Sequence, residues 1–217
     1  MRGESIAVPI PMNDDLFQIA QLQSGGEQAL AEAMTQCASR LEQTVALRMD
    51  PRLSRRVDAA DVLQEAFLEA QKRLARYLRA PAVPVFVWLR GVVLDTLADL
   101  HCRHLGAKIR DATQEVYIQC PVSSLASSVG LAALLAGDFT SPSQAAIREE
   151  TIAQVEGFLD RMDQIDREVL ILRHLEELSN DEVAAVLGVK KAAASRRYMR
   201  ALARFREVLL TIPGVEG

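Results

Sequence analysis

The chain has 217 residues, of which 49% are hydrophobic, 25% charged and only 5% aromatic, and its formal net charge is −4. This composition is typical of a soluble globular chain and excludes a disordered tail, a collagen-like fibre and a disulfide-stapled miniprotein. Because the overall charge is negative, any surface that binds nucleic acid has to be local.

The cysteines and the apolar segments indicate the compartment. Cys37, Cys102 and Cys120 lie far apart and form no paired motif, which favours a reduced environment over a disulfide framework. The first residues lack the apolar stretch of a signal peptide, and no segment approaches the roughly 18 apolar residues of a membrane span. We therefore expect a cytoplasmic protein without membrane insertion.

The first half of the sequence predicts three helices after an N-terminal extension. Residues 1–25 show little periodicity and predict that extension, with one short helix near 15–22. Apolar residues then recur at helical spacing over 27–49, 59–78 and 85–105. Asp58 is the predicted N-cap of the second helix, and Asp61 favours its positive N-terminus.

A segment of different character follows. Residues 106–140 predict a linker, with a weak helix at 131–135, because so long a loop inside one compact domain is unusual. Ser141 then predicts a new helix, since Pro142 and Gln144 complete a capping box with a first-turn proline.

The second half predicts four helices. The first ends near Met162, the second near His174, and the third covers 180–187 with Ser179 as N-cap and Glu182 completing a capping box. The last helix is predicted over 190–210. With no predicted strand, the fold class is all-α: two small helical bundles joined by a linker.

The third and fourth of these helices have the pattern of a helix-turn-helix. Ala184 is small enough for a close crossing, and Gly188 can adopt the left-handed conformation that turns the chain. The inward-facing residues would be Val183, Leu187 and Val189, packed against Ala194, Tyr198, Ala201 and Phe205 of the second helix. The second helix of such a motif lies in the major groove of DNA.

Charge supports a DNA-binding interpretation of the final helix. Residues 190–206 contain seven basic side chains and no acid, although the chain as a whole is acidic. Basic side chains on one helix can neutralise phosphates, and those at its N-terminal end can contact base edges. The predicted DNA-binding residues in this helix are Lys190, Lys191, Ser195, Arg196, Arg197, Arg200 and Arg204. A solvated basic surface is the simpler alternative.

Motifs in both halves together resemble one family. Residues 61–70 (DVLQEAFLEA), a proline-bearing loop and residues 86–93 (FVWLRGVV) look like regions 2.2 to 2.4 of a bacterial sigma factor. Residues 166–170 (DREVL) and the helix-turn-helix look like region 4, with no region 3 domain between. The chain therefore resembles the extracytoplasmic-function group of RNA polymerase sigma factors over about 27–105 and 142–210.

The resemblance implies a domain assignment and partners. Residues 26–105 would be a region 2 domain that binds core RNA polymerase and the −10 promoter element, and residues 141–212 a region 4 domain that binds the −35 element. The implied partners are bacterial core RNA polymerase, promoter DNA and an anti-sigma factor. No catalysis and no cofactor are expected.

Residue roles in the first half also come from the resemblance. The implied polymerase-binding residues are Asp61, Leu63, Gln64 and Glu65. The implied contacts with the −10 element are Trp88, Arg90, Asp95 and Arg103. For the polymerase-binding set the alternative is a solvated helix surface, and for Trp88 the favoured alternative is an anchor in the hydrophobic core.

Several positions depart from the family pattern. Asp95 stands where the family usually has asparagine, and a carboxylate beside a DNA strand is repulsive. Residues 101–104 (HCRH) are less basic than the usual end of this helix, and residues 193–194 are Ala-Ala where Thr-Val is customary. Arg197, Arg200 and Ala201 match the family's R-x-x-R-A. These differences concern promoter choice.

The sequence offers three alternatives to this interpretation. His101, Cys102 and His104 could suggest a metal site, but on a helix Cys102 points away from the two histidines. The main alternative to a sigma factor is a stand-alone helix-turn-helix regulator with an N-terminal sensing or dimerisation bundle, and a further one is an interaction protein whose helix-turn-helix binds protein.

Overall fold

A computed structural model describes residues 12–105 and 145–209 of the chain, and all regular secondary structure in these two ranges is helical. The helices are α1 (Met12–Arg48), α2 (Ala59–Arg79), α3 (Val85–Leu105), α4 (Ala145–Arg161), α5 (Gln164–His174), α6 (Asn180–Leu187) and α7 (Lys191–Leu209). The predicted all-α fold class is confirmed. None of these helices is long and apolar enough to span a membrane.

Helix α1 begins earlier than the sequence pattern predicts. It starts at Met12 and is interrupted by a kink at Gly26, where φ is 54° and ψ is −127°. The expected short helix is therefore longer, and Leu22 within it is buried in the hydrophobic core. Most of the predicted extension is thus part of the first bundle.

Helices α1, α2 and α3 form the first bundle. Asp58 caps α2 as predicted, because its side chain accepts from the Asp61 amide and Asp61 accepts from the Asp58 amide. The buried stripe of α2, which faces the two other helices, consists of Val62, Ala66, Ala70, Leu74 and Tyr77.

Helices α4 to α7 form the second bundle. The side chain of Asp163 caps α5, and Ser179 and Glu182 form the predicted capping box of α6. Its local core contains Val155 and Leu159 of α4 and Phe205 of α7. The predicted linker, the weak helix at 131–135 and the Ser141 capping box lie outside the described residues.

The two bundles pack directly against each other. Val169, Leu172, Leu178 and Val183 belong to the same hydrophobic cluster as the core of the first bundle. Polar contacts surround this apolar contact, as described below. We call the contact of α1 and α3 with α5, α6 and the segment between them the interdomain interface.

Candidate nucleic-acid interface

The helix-turn-helix has the predicted geometry. Gly188 adopts the left-handed conformation, with φ 63° and ψ 30°, and its amide donates to the carbonyls of Ala184 and Ala185. Val183 and Ala194 are buried where α6 and α7 cross. This crossing fixes the direction in which α7 leaves the turn and exposes the basic surface of α7.

The N-terminal end of α7 presents exposed polar and basic side chains. Lys190, Lys191, Ser195 and Arg196 are all exposed. The Lys191 ammonium lies 2.8 Å from a carboxylate oxygen of Asp181, in an exposed pair that is weak in water. In a helix-turn-helix this end of the second helix contacts base edges.

Three of the later basic residues of α7 are held by one buried carboxylate. Arg200 donates to Asp166 through Nε at 2.9 Å and Nη2 at 2.7 Å, and Arg197 donates through Nη1 at 3.4 Å. Arg204 lies 3.6 Å from the same carboxylate. Hydrogen bonds from Arg200 are the main cause of the lowered pKa of Asp166. We call Arg197, Arg200 and Arg204 the arginine cluster.

The predicted −10 contacts in α3 have different environments. Trp88 is half-buried and stacks on Tyr77, with ring centroids 4.3 Å apart and planes 9° apart. This stacking agrees with a role as a core anchor. Arg90 is buried, so in this arrangement its guanidinium is not at a surface that DNA could contact.

Two further −10 candidates take part in ion pairs between α2 and α3. The Asp95 carboxylate accepts from Arg73 at 2.6 Å, so its negative charge is compensated within the protein. Arg103 donates to Glu65 at 2.6 Å, and both side chains are exposed. Asp95 therefore presents a weaker repulsion to a DNA strand than its sequence position alone suggests.

The four predicted polymerase-binding residues lie near the N-terminal end of α2. Asp61 and Gln64 are exposed, and Glu65 is half-exposed and paired with Arg103. Leu63 instead packs against the hydrophobic core. Leu68, which the sequence analysis did not single out, is 56% exposed one turn after Gln64 on the same helix surface.

Glu176 is the centre of the interdomain interface. Its carboxylate accepts from Arg90 through Nε at 2.6 Å and Nη2 at 3.0 Å, from Arg48 Nε at 2.8 Å and from the Thr44 hydroxyl at 3.0 Å. Burial alone would raise the pKa of Glu176, but the hydrogen bonds and charges of Arg90 and Arg48 lower it to about 2. The carboxylate is therefore ionised and fully partnered.

A second polar contact joins α1 to α6. Arg40 donates to both carboxylate oxygens of Glu182, at 3.1 and 3.2 Å. The Arg40 guanidinium also lies 3.7 Å above the centre of the Phe86 ring, in cation–π geometry. Glu182 therefore caps α6 and anchors it to the first bundle.

Sequence analysis missed Asp166 and Glu176 as partners of arginine. For Asp166 a signal was available, because Arg197, Arg200 and Arg204 are spaced by three and four residues and share one side of a helix. For Glu176 no such signal exists, because its arginine partners are 128 and 86 residues away.

The histidine-rich end of α3 lies close to an acidic side chain. His101 Nε2 lies 3.8 Å from an Asp50 carboxylate oxygen. Within residues 12–105 and 145–209, no group of three histidine, cysteine or acidic side chains could hold a metal ion.

Comparison with known proteins identifies the helix-turn-helix bundle. Residues 152–205 match the model of the family described as sigma-70, region 4. The match covers most of α4 and extends through α5 and α6 into α7. The second bundle is therefore a sigma-70 region 4 domain.

Longer matches connect both bundles to named sigma factors. The chain is 29% identical over 86% of its length to "Probable RNA polymerase sigma factor RfaY" of Xanthomonas campestris pv. campestris, of which it spans 42%. It is 27% identical over 92% of its length to RNA polymerase sigma factor CnrH of Cupriavidus metallidurans, of which it spans 96%. It is 29% identical over 71% of its length to ECF RNA polymerase sigma factor SigD of Mycobacterium tuberculosis, of which it spans 64%.

A solved structure also aligns with the chain. The structure of CnrH in complex with the cytosolic domain of CnrY aligns with a TM-score of 0.49 at 22% identity, covering 91% of this chain and 97% of that one. The region 4 match and the named relatives thus make the chain similar to RNA polymerase sigma factors of the extracytoplasmic-function group.

Proposed function

We propose that the chain is a dissociable promoter-specificity subunit of bacterial RNA polymerase that acts in the cytoplasm and has no catalytic activity of its own. The region 4 match carries this proposal, because the matched residues form a helix-turn-helix with an exposed basic N-terminal end. Residues 141–212 would bind the −35 element of the promoter. Residues 26–105 would bind core polymerase and the −10 element.

Exposure favours the N-terminal end of α7 as the surface that contacts bases. Lys190, Ser195 and Arg196 are exposed next to the turn, in the part of the second helix that enters the major groove in helix-turn-helix proteins. Arginine is suited to bidentate contact with guanine, and serine can contact any base. Arg196 is therefore our principal candidate for −35 recognition.

The polymerase-binding proposal rests on the exposed surface of α2. Gln64 and Leu68 lie one turn apart, and the half-exposed Glu65 stands beside them. An exposed leucine flanked by polar groups is suited to a protein interface, which buries an apolar centre inside a polar rim. Leu68 thus adds an apolar contact to the predicted polar set. The family resemblance adds an anti-sigma factor as a proposed partner.

The proposed activity requires the two bundles to separate. The −10 and −35 elements are about 25 base pairs apart, which at roughly 3.4 Å per base pair is about 85 Å along straight DNA. At the interdomain interface, side chains of the two bundles are within hydrogen-bonding distance. One chain in this arrangement therefore cannot contact both elements. We infer that binding to core polymerase opens the interface.

The experiment that tests the proposal is co-precipitation with purified bacterial core RNA polymerase, followed by run-off transcription from fragmented genomic DNA. We expect stoichiometric binding and new transcripts that begin at specific positions. Absence of polymerase binding, combined with specific duplex binding by the chain alone, would instead establish a stand-alone regulator.

A second experiment tests the polymerase-binding surface. Gln64→Ala combined with Glu65→Ala should weaken binding to core polymerase. Because Glu65→Ala also breaks the ion pair with Arg103, the matched control is Arg103→Ala, which breaks the same pair and leaves the α2 surface intact. Equal core affinity of the double variant and the control would remove Gln64 and Glu65 from the interface.

A further inference from the structure

Six of the seven basic residues over 190–206 fall into two classes. Lys190, Lys191 and Arg196, near the turn, are exposed. The arginine cluster further along the helix converges on the single carboxylate of Asp166, which is completely buried. All of these side chains are cations, so the two classes differ only in whether the side chain contacts Asp166.

We propose that Asp166 is a specificity-determining residue that competes with DNA phosphate for the arginine cluster. The proposal rests on the proposed DNA-binding function of α7. By occupying these guanidinium groups, Asp166 limits their contact with phosphates of any sequence. Recognition then depends on Lys190, Ser195 and Arg196, which can contact base edges.

The geometry of the carboxylate supports competition. Arg200 contacts Asp166 through two nitrogens of its guanidinium, which is the fork that also binds a phosphate in bidentate fashion. While the fork is occupied in this way, a phosphate can reach only the remaining donors. Asp166 thus occupies the part of Arg200 that would bind DNA best.

The exposure of the three arginines makes the competition possible. The side chains of Arg197, Arg200 and Arg204 are 31%, 50% and 50% exposed, so DNA can approach them. Asp166 is fixed in place, because it lies in the first turn of α5 and its amide donates to the N-cap Asp163. The arginines can therefore exchange a fixed internal anion for an external one.

The salt dependence of DNA binding measures this competition. Each phosphate that a cation neutralises steepens the plot of log affinity against log salt by about 0.9. Replacing Asp166 by asparagine removes the competing charge and keeps the size of the side chain. The number of phosphate contacts should then increase without any new base contact.

The test uses the full chain and a random-sequence DNA duplex, with affinity measured by fluorescence anisotropy between about 50 and 200 mM salt. Asp166→Asn should bind this duplex more tightly than the unsubstituted chain. Its salt slope should be steeper by about 0.9 for each arginine that gains a phosphate. A weaker affinity with an unchanged slope would show that Asp166 has only a structural role and would overturn the proposal.

A matched pair in α7 gives a second test that does not require Asp166 to be replaced. On a random-sequence duplex Arg196 has no particular base to recognise and can pair with a phosphate instead. Arg196→Gln should therefore make the salt slope shallower by about 0.9, because Arg196 is not among the arginines that Asp166 holds. Arg200→Gln should change it by less than half as much. Equal decreases of the salt slope in the two variants would overturn the proposal, even if Asp166→Asn failed to fold.

The two proposals can fail separately, because the duplex assay contains no polymerase. A chain that does not bind core polymerase but shows the expected salt slopes would be a stand-alone regulator in which Asp166 has the same role. Polymerase binding with unchanged slopes would keep the sigma factor proposal and exclude the competition.

Discussion

Glu176 and Asp166 are both completely buried carboxylates bound by arginines, yet the exposure of their partners differs. Glu176 joins the two bundles, and the side chains of Arg48 and Arg90 are only 13% and 6% exposed. Asp166 lies within one bundle, and its principal partner Arg200 is 50% exposed. A carboxylate–arginine ion pair therefore holds two elements together firmly where both partners are buried. Where the arginine is exposed, it can exchange the carboxylate for another anion.

Desolvation explains why this difference matters. A buried charge that loses its partner cannot regain water, and breaking such a pair typically costs about 3–5 kcal/mol. A half-exposed guanidinium that loses its carboxylate is hydrated instead, so the cost is smaller. We therefore expect substitutions at the two carboxylates to differ in how much they destabilise the chain and in which binding property they change.

The largest effect is expected for Glu176→Gln. This change removes the hydrogen-bonded carboxylate of the buried Arg90 and leaves it only the more distant Glu168, 3.9 Å away, so it should destabilise the packed arrangement by about 3 kcal/mol. Urea unfolding would measure the loss, and small-angle scattering would show an increased radius of gyration if the bundles separate before they unfold.

The same variant tests the proposed opening on core polymerase. If only the open form binds, weakening the closed form by about 3 kcal/mol raises the apparent affinity for core polymerase by up to about 100-fold. Surface-immobilised polymerase would measure this. An affinity equal to that of the unsubstituted chain would show that the closed form is not an obstacle to binding.

Acid should weaken the interdomain interface through the same carboxylate. The pKa of Glu176 is lowered to about 2 in the folded chain from an ordinary value of 4.5. A carboxyl group whose pKa is lowered by folding stabilises the folded chain when the pH is above its ordinary pKa. This stabilisation is lost as the pH falls towards the pKa of the group in the folded chain. Compactness measured by scattering should therefore persist at pH 5 and decline between about 4.5 and 2. In Glu176→Gln, a decline as steep as in the unsubstituted chain would assign the effect to other groups.

Asp166→Asn should destabilise the chain less than Glu176→Gln. The arginine cluster can be hydrated when the carboxylate is removed, so we expect a loss of about 2 kcal/mol within the second bundle. Urea unfolding of both variants under the same conditions makes the comparison. If Asp166→Asn lowered the free energy of unfolding as much as Glu176→Gln, the exposure of the arginine partners would not explain the cost of losing the carboxylate.

Local signals made much of the fold predictable from the sequence. The bounds of α3 and α6, the N-cap at Asp58 and the capping box at Ser179 agree with the structure, because each depends on residues within a few positions of one another. Helix α1 was predicted to begin at 27, since Gly25 and Gly26 usually end a helix. In the structure the helix continues across the kink at Gly26.

Long-range pairing was not predictable. Helix periodicity showed that Arg90 lies in α3, but it gave no indication that a carboxylate from the second bundle would bury it. The packing of the two bundles was likewise absent from the predictions, since the sequence between them indicated only a linker. In the candidate DNA surface, the basic character of α7 was evident, whereas the division of its cations by Asp166 depends on how α5 packs.

Arg40→Ala tests the half-exposed part of the interdomain interface. It removes two hydrogen bonds to Glu182 and the cation–π contact with Phe86, and we expect a loss of about 1.5 kcal/mol. Arg40→Lys is the matched control, because it keeps the charge but cannot make the bidentate contact. If both variants were as stable as the unsubstituted chain in urea unfolding, the contact between Arg40 and Glu182 would contribute nothing to the stability of the interface.

The smallest effect on stability is expected for a substitution at Gly188, which lies between α6 and α7. Helix α6 is bound to the first bundle through Glu182, and α7 is held by Asp166. Gly188→Ala should cost about 1 kcal/mol, because an alanine in the left-handed conformation is strained although its Cβ has open space. Gly157→Ala is the control, since that site also has open space but lies within α4. Thermal stability should therefore fall in Gly188→Ala but not in Gly157→Ala. The salt slope of DNA binding should be unchanged in Gly188→Ala, because neither Asp166 nor its arginines move. A changed slope would mean that the turn, rather than Asp166, sets which cations of α7 contact DNA.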